Sequence, residues 1–118
     1  MVAERRSTPR VRAYRPVRLS RWGSPRIIET LTKDLALGGM RCLSPDAFPV
    51  STELEVELVL APGEEIFTTR GRVAWFRMLP KSDQFDLGIT FLGLTAQHLA
   101  HLSAHLSRLA TPHELVHA

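Results

Sequence analysis

The sequence predicts an all-β domain: a six-stranded antiparallel barrel closed off by one C-terminal helix. Three observations carry this. Short apolar-alternating segments recur at close spacing, separated by Gly/Pro/Asp turn signals. One run with helical periodicity appears, and only near the C-terminus. At 118 residues the chain suits a single domain, large enough to bury a core without metal or disulfide support.

The elements run in order along the chain. Residues 1–16 contain Pro9 and Pro16 and no clean period, so they read as a flexible arginine-rich arm. Val17–Arg21 alternates as a first strand, and Gly23-Ser24-Pro25 turns the chain. Ile27–Lys33, rich in β-branched residues, is the second strand. Gly38-Gly39 breaks the chain before a short third strand, Met40–Leu43. In Glu53–Leu60, Leu54, Val56, Leu58 and Leu60 alternate mainly with glutamates, giving one core face and one acidic face. Ile66–Phe76 is the fifth strand, with Val73 and Trp75 on a shared face. Phe85–Phe91 is the sixth, with Phe85, Leu87, Ile89 and Phe91 inward and Asp86, Gly88 and Thr90 outward. The barrel therefore occupies 17–93.

Thr95 is the expected N-cap of a helix over 95–109. Leu99, Leu102, Leu106 and Leu109 form one stripe, within about 80° at 100° per residue. Ala110-Thr111-Pro112 should end it, leaving 110–118 as a frayed tail.

Charge is unevenly placed. The net charge is only +3, yet residues 1–26 hold eight arginines against the single acid Glu4, about +7 for that segment. Such segregation focuses potential and attracts an anion. Arginine also suits bidentate contacts to phosphate or guanine better than lysine does. No apolar run accompanies these arginines, so neither a secretory leader nor a membrane span is expected, and a cytoplasmic address follows. Cys42 is the single cysteine, which excludes an internal disulfide; mid-strand, it reads as a small buried hydrophobe.

Two clusters could carry chemistry. Arg6 and Arg10 stand four apart in the arm, with Arg5 adjacent. Asp34-Leu35-Ala36-Leu37-Gly38-Gly39 follows the second strand. A carboxylate can accept from the N1–H and N2–H₂ edge of guanine, while arginine donates to its O6 and N7. Glycines at that turn allow positive φ and close backbone approach.

With these residues the sequence resembles the PilZ domain family, bacterial receptors for cyclic di-GMP. Arg6 and Arg10 match its RxxxR arm, and Asp34 and Gly39 match the ends of its [D/N]xSxxG turn. Gly71-Arg72-Val73-Ala74-Trp75 and Leu87-Gly88-Ile89-Thr90-Phe91 resemble its last two strands. The resemblance implies a cyclic di-GMP site built from Arg5, Arg6, Arg10, Asp34, Ala36, Gly38 and Gly39, and a receptor that signals to a protein partner. It also implies a non-enzymatic module with no cofactor. Ala36 stands where the family usually has serine, and the lost hydroxyl costs about 0.5–1.5 kcal/mol, roughly threefold to tenfold in affinity. The alternative is a degenerate adaptor that binds protein and no nucleotide. Arg70, Arg72 and Gly88 are outward strand positions expected to be surface.

Other signals are weaker. His113-Glu114-Leu115-Val116-His117 matches the HExxH zinc pattern, but after Pro112 and at the terminus it has no third ligand or cleft. His98, His101 and His105 share a helix side and are expected as boundary surface rather than zinc ligands. Single-stranded nucleic acid would need exposed aromatic platforms beside the basic arm. Trp75, Phe85 and Phe91 are expected inward, so nucleic acid is not the expected partner.

Overall fold

The structure, a computed structural model, describes the backbone of residues 10–117 and the side chains of residues 10–109. Arg5 and Arg6 therefore lie outside the described residues. Seven strands form: β1 (Val11–Arg12), β2 (Pro16–Arg21), β3 (Ile27–Ala36), β4 (Gly39–Ser44), β5 (Glu53–Leu58), β6 (Phe67–Met78) and β7 (Phe85–Leu92). All pairings are antiparallel, and β2–β7 close in the order β3-β2-β5-β6-β7-β4 through an added β3–β4 pairing. Closure removes the exposed edges that an open sheet would present. Thus the six-stranded barrel is present, with β1 as one extra strand on β3.

Alternation places the core as expected. Leu54, Val56 and Leu58 of β5 face Val17 and Leu19 of β2, and all five are buried. Leu87 and Ile89 of β7 lie beside Met40 and Val73, also buried.

Several expectations need correction. Residues 10–16 are not an irregular arm, because Val11 and Arg12 pair with Leu35 and Asp34. The junction to β2 is pinned by Thr32, whose buried hydroxyl donates to the Ala13 carbonyl (2.6 Å) and accepts from Arg15 N–H (2.9 Å). Strand β5 stops at Leu58, where the Val59 N–H turns to the Pro16 carbonyl, although Leu60 remains buried. A β-bulge between Val73 and Trp75 breaks the alternation of β6 and brings Trp75 to the outside, 39% exposed. Asp86 is on the outer face but is not in water, being buried under Lys33 and Arg77.

The helix, α1 (Ala96–His117), begins where expected. His98 N–H donates to Thr95 Oγ1 and Thr95 N–H donates to His98 Nδ1, each at 3.1 Å, a reciprocal cap with histidine in the usual Glu/Gln position. It continues past Pro112 to His117, beyond the expected end at Leu109. A proline removes one backbone donor, which bends helices more readily than it ends them when the turns on both sides hold. Leu102 and Leu106 enter the core and Leu109 packs against it, whereas Leu99 is exposed. His105 is buried instead, so it is not boundary surface.

Candidate functional site

The β3–β4 hairpin sets the site. Ala36 pairs with Gly39 across the two-residue turn Leu37-Gly38, and the same register places Asp34 opposite Arg41. Side chains two apart on a strand share a face. Asp34 and Ala36, with Gly39 and Arg41 opposite, therefore make one small outer patch, a methyl-and-glycine floor flanked by a carboxylate and a guanidinium.

Gly39 is required for a reason other than the expected one. Neither Gly38 nor Gly39 has positive φ. A Cβ on Gly39 would collide with the Ile89 carbonyl of β7, whereas one on Gly38 would meet open space. Close packing of β4 on β7 demands the glycine. The Gly38 carbonyl, in turn, accepts from Phe91 N–H at 2.9 Å and ties the turn to β7.

Asp34 is held from two sides. Arg10 Nη1 donates to Asp34 Oδ1 at 2.7 Å. Arg41 Nε lies 3.1 Å from Asp34 Oδ2, too poorly aligned to donate, so this buried nitrogen has no hydrogen-bond partner among the described residues. One carboxylate thus faces two guanidiniums.

A β-bulge between Thr32 and Asp34 adds Lys33 to β3 and lets it reach the same outer side. Lys33 Nζ is 2.7 Å from Asp86 Oδ1, and Arg77 Nη2 is 3.0 Å from Asp86 Oδ2. Burial raises the Asp86 pKa, but the hydrogen bonds from Lys33 and Arg77, with the charges of Lys33 and Arg41, outweigh it and hold the carboxyl below its ordinary value. Four cations (Arg10, Arg41, Lys33, Arg77) and two carboxylates therefore share this face, an excess that suits an anion.

The site residues named from sequence divide clearly. Arg10, Asp34, Ala36 and Gly39 come together, with Gly38 at the adjoining turn. Arg5 and Arg6 lie outside the described residues. Arg70 instead pairs with Glu53 at 3.7 Å on β5, and Gly88 lies buried beneath Trp75. Sequence reasoning missed Arg41, although the two-residue turn already fixes it as the cross-strand partner of Asp34.

Other reactive groups do not assemble comparably. Burial, with the Asp86 charge adding, pushes the Cys42 thiol up to about 12, so it stays protonated and unreactive. A cleft of about 590 Å³ between the β5–β6 turn and α1 is lined by Glu64, Phe67, His98, His101 and Arg108, far along the chain from the hairpin motif. Glu64 is within 3.5 Å of both His101 and Arg108. Among the described residues no group of three or more His, Cys, Asp or Glu side chains is placed to hold a metal ion. None of the described helices is long and apolar enough to cross a membrane.

Fold and face together define a small closed β-barrel carrying an open, arginine-rich patch at one hairpin. The PilZ domain family model matches residues 4–108, and the chain belongs to the PilZ domain family. Solved structures agree on the fold. The inhibitor of motility MotI/DgrA of Bacillus subtilis superposes with a TM-score of 0.74 at 21% identity, over 88% of this chain and 50% of that one. The PilZ domain of Escherichia coli YcgR with c-di-GMP gives 0.71 at 17% identity, covering 92% and 93%. A tetrameric PilZ protein of Xanthomonas campestris gives 0.58 at 23%, covering 79% and 49%. The chain spans about half the length of the Bacillus and Xanthomonas chains and nearly all of the isolated YcgR domain. No curated protein matches the sequence.

Proposed function

We propose that this chain is a non-enzymatic receptor for cyclic di-GMP. The observation that carries the reading is the convergence of Arg10, Asp34 and Arg41 over the Ala36–Gly39 floor, at the positions of the family's two motifs. Asp34 would accept from the N1–H and N2–H₂ edge of one guanine, and Arg10 would donate to O6 and N7 or to phosphate. Arg6, four residues before Arg10, would supply the second arginine and Arg5 a further contact. The YcgR domain holds c-di-GMP on the same fold. The cationic excess of the face matches a ligand with two negative phosphates.

Ligand held between the arginines and Asp34 would change the surface offered to a protein partner, which is the proposed route to a signal. Titration calorimetry on the full chain tests the site. Micromolar or tighter binding, lost in Arg6→Ala and Arg10→Ala, supports it; no heat at high micromolar ligand removes it and leaves a nucleotide-independent adaptor.

A further inference from the structure

We infer that the free end of β6 is a pairing edge for a second copy of this chain, which adds antiparallel, strand to strand, about a two-fold axis at Phe76. The inference is independent of the nucleotide reading. Strand register exposes the edge. β6 pairs with β5 only over residues 67–72. Val73 is then held by the β4–β5 loop, its N–H donating to the Thr52 carbonyl and its carbonyl accepting from Ser51 N–H. Beyond it, residues 75–78 pair with β7 on one side and, among the described residues, with no strand on the other.

The hairpin fixes which backbone groups are free. Leu79 N–H donates to the Gln84 carbonyl at 3.0 Å. Backbone groups alternate along an antiparallel strand, so Trp75 and Arg77 also bond toward β7, while the N–H and C=O of Phe76 and Met78 point away from it. The side chains add to the edge. Phe76 stands opposite Leu87 and Met78 opposite Phe85, on the face that forms the barrel core at Leu87. Phe76 and Met78 are nevertheless 42% and 66% exposed, so the core face runs on past the barrel mouth as an apolar ledge. The usual guards of an edge strand are missing. Ala74-Trp75-Phe76-Arg77-Met78 has no proline or lysine, and its one charge, Arg77, is tied to Asp86 of its own chain.

Charge selects the register of the pairing. Centred on Arg77, it would set two guanidiniums directly opposite each other, which is destabilising. Centred on Phe76, it lets Phe76 exchange both backbone hydrogen bonds with Phe76 of the second copy, as two residues of an isologous contact do. Arg77 then lies opposite Trp75 of the second copy, a cation beside an aromatic ring, and Met78 lies opposite its Ala74. The segment is thus complementary to itself in charge and shape. So short an edge buries less than the roughly 800 Å² per partner of a stable complex, so the dimer is weak and transient.

Sedimentation of the full chain without nucleotide, from about 10 μM to about 1 mM, should show a monomer–dimer equilibrium. Phe76→Pro removes the outward N–H but no bond of the β6–β7 ladder. It should weaken the dimer about tenfold or more, the worth of two neutral hydrogen bonds. Met78→Lys leaves the backbone intact and places a charge on the edge, so it should also weaken the dimer even if the proline variant fails to fold. Mild oxidation of the Ala74→Cys/Met78→Cys double variant reads the register. It should cross-link two copies in the pairing centred on Phe76, Cys42 being buried. A chain that stays monomeric at about 1 mM, a dimer unmoved by both edge variants, or a double variant that forms no cross-link overturns the inference.

Discussion

Arg10 Nη1 lies 2.7 Å from Asp34 Oδ1, an ion pair between the start of the described chain and the hairpin carboxylate. A ligand at Asp34 would therefore have to displace a contact already made. With Arg10 half exposed, the pair contributes at most about 1 kcal/mol. Charge-assisted hydrogen bonds from a bound guanine or phosphate run about 1.5–3 kcal/mol each. On these magnitudes the exchange would favour the ligand.

Asp34→Ala and Arg10→Ala should each reduce cyclic di-GMP affinity by about tenfold or more, the equivalent of one charge-assisted bond. Thermal melting should show both variants folded. Calorimetry at two salt concentrations should also show weaker binding at the higher one, as expected for an anion on a cationic face.

Ala36→Ser restores the hydroxyl at the patch floor. Affinity should tighten by about threefold to tenfold, the worth of one neutral hydrogen bond, with stability nearly unchanged. Comparison of dissociation constants for the two proteins checks it.

Asp86 is a buried carboxylate held by two cations that can themselves reach water. Asp86→Ala should cost about 1–3 kcal/mol in urea unfolding, below the usual cost of breaking a fully buried pair. Lys33→Ala should cost more than Arg77→Ala, because Lys33 is the less exposed partner. Since the folded pKa is lowered, this stabilisation is present above the ordinary carboxyl value of 3.8 and is lost as pH falls below it.

His105 gives a second pH dependence, at milder acidity. Arg15 Nε donates to His105 Nε2 at 3.3 Å, which requires a neutral ring. Burial, then the charges of Arg15 and Arg108, lower its pKa below 6.5, with Glu64 opposing and His101 adding slightly. The unfolded state thus takes up the proton first, so stability is full above about pH 6.5 and declines as pH falls below it. Urea midpoints between pH 5 and 7.5 should show this slope, and His105→Gln should flatten it.

Gly39→Ala should destabilise by about 1–3 kcal/mol, because the added carbon meets backbone at Ile89 that cannot rotate away. Gly38→Ala should stay within about 0.5 kcal/mol, having open space and no positive φ. Melting temperatures of the two variants separate packing from turn conformation as the reason for glycine.

Alternation alone carries most of the barrel. The inward sets Leu54/Val56/Leu58 and Leu87/Ile89/Phe91 stand in the sequence with period two and are buried together. The hidden remainder depends on single-residue insertions and on rotation. The bulges at Lys33 and Ala74 each shift the facing of the residues after them, and neither residue type announces a bulge. Hence simple alternation points Trp75 inward and leaves Lys33 unconnected to Asp86. On α1 the leucine stripe is clear, but the helix is turned so that His105 is buried and Leu99 is exposed. Arg15, distant in sequence, donates to the buried His105 there. At the site, Asp34, Ala36 and Gly39 are legible from motif spacing, and Arg41 only from hairpin register.

Titration calorimetry of the full chain measures directly whether the Arg10–Asp34 face binds cyclic di-GMP. Saturable heat with a micromolar or tighter Kd is expected, abolished or weakened at least tenfold in Arg10→Ala and Asp34→Ala. A folded parent chain that gives no heat at high micromolar ligand, or variants that bind as tightly as the parent, would contradict it.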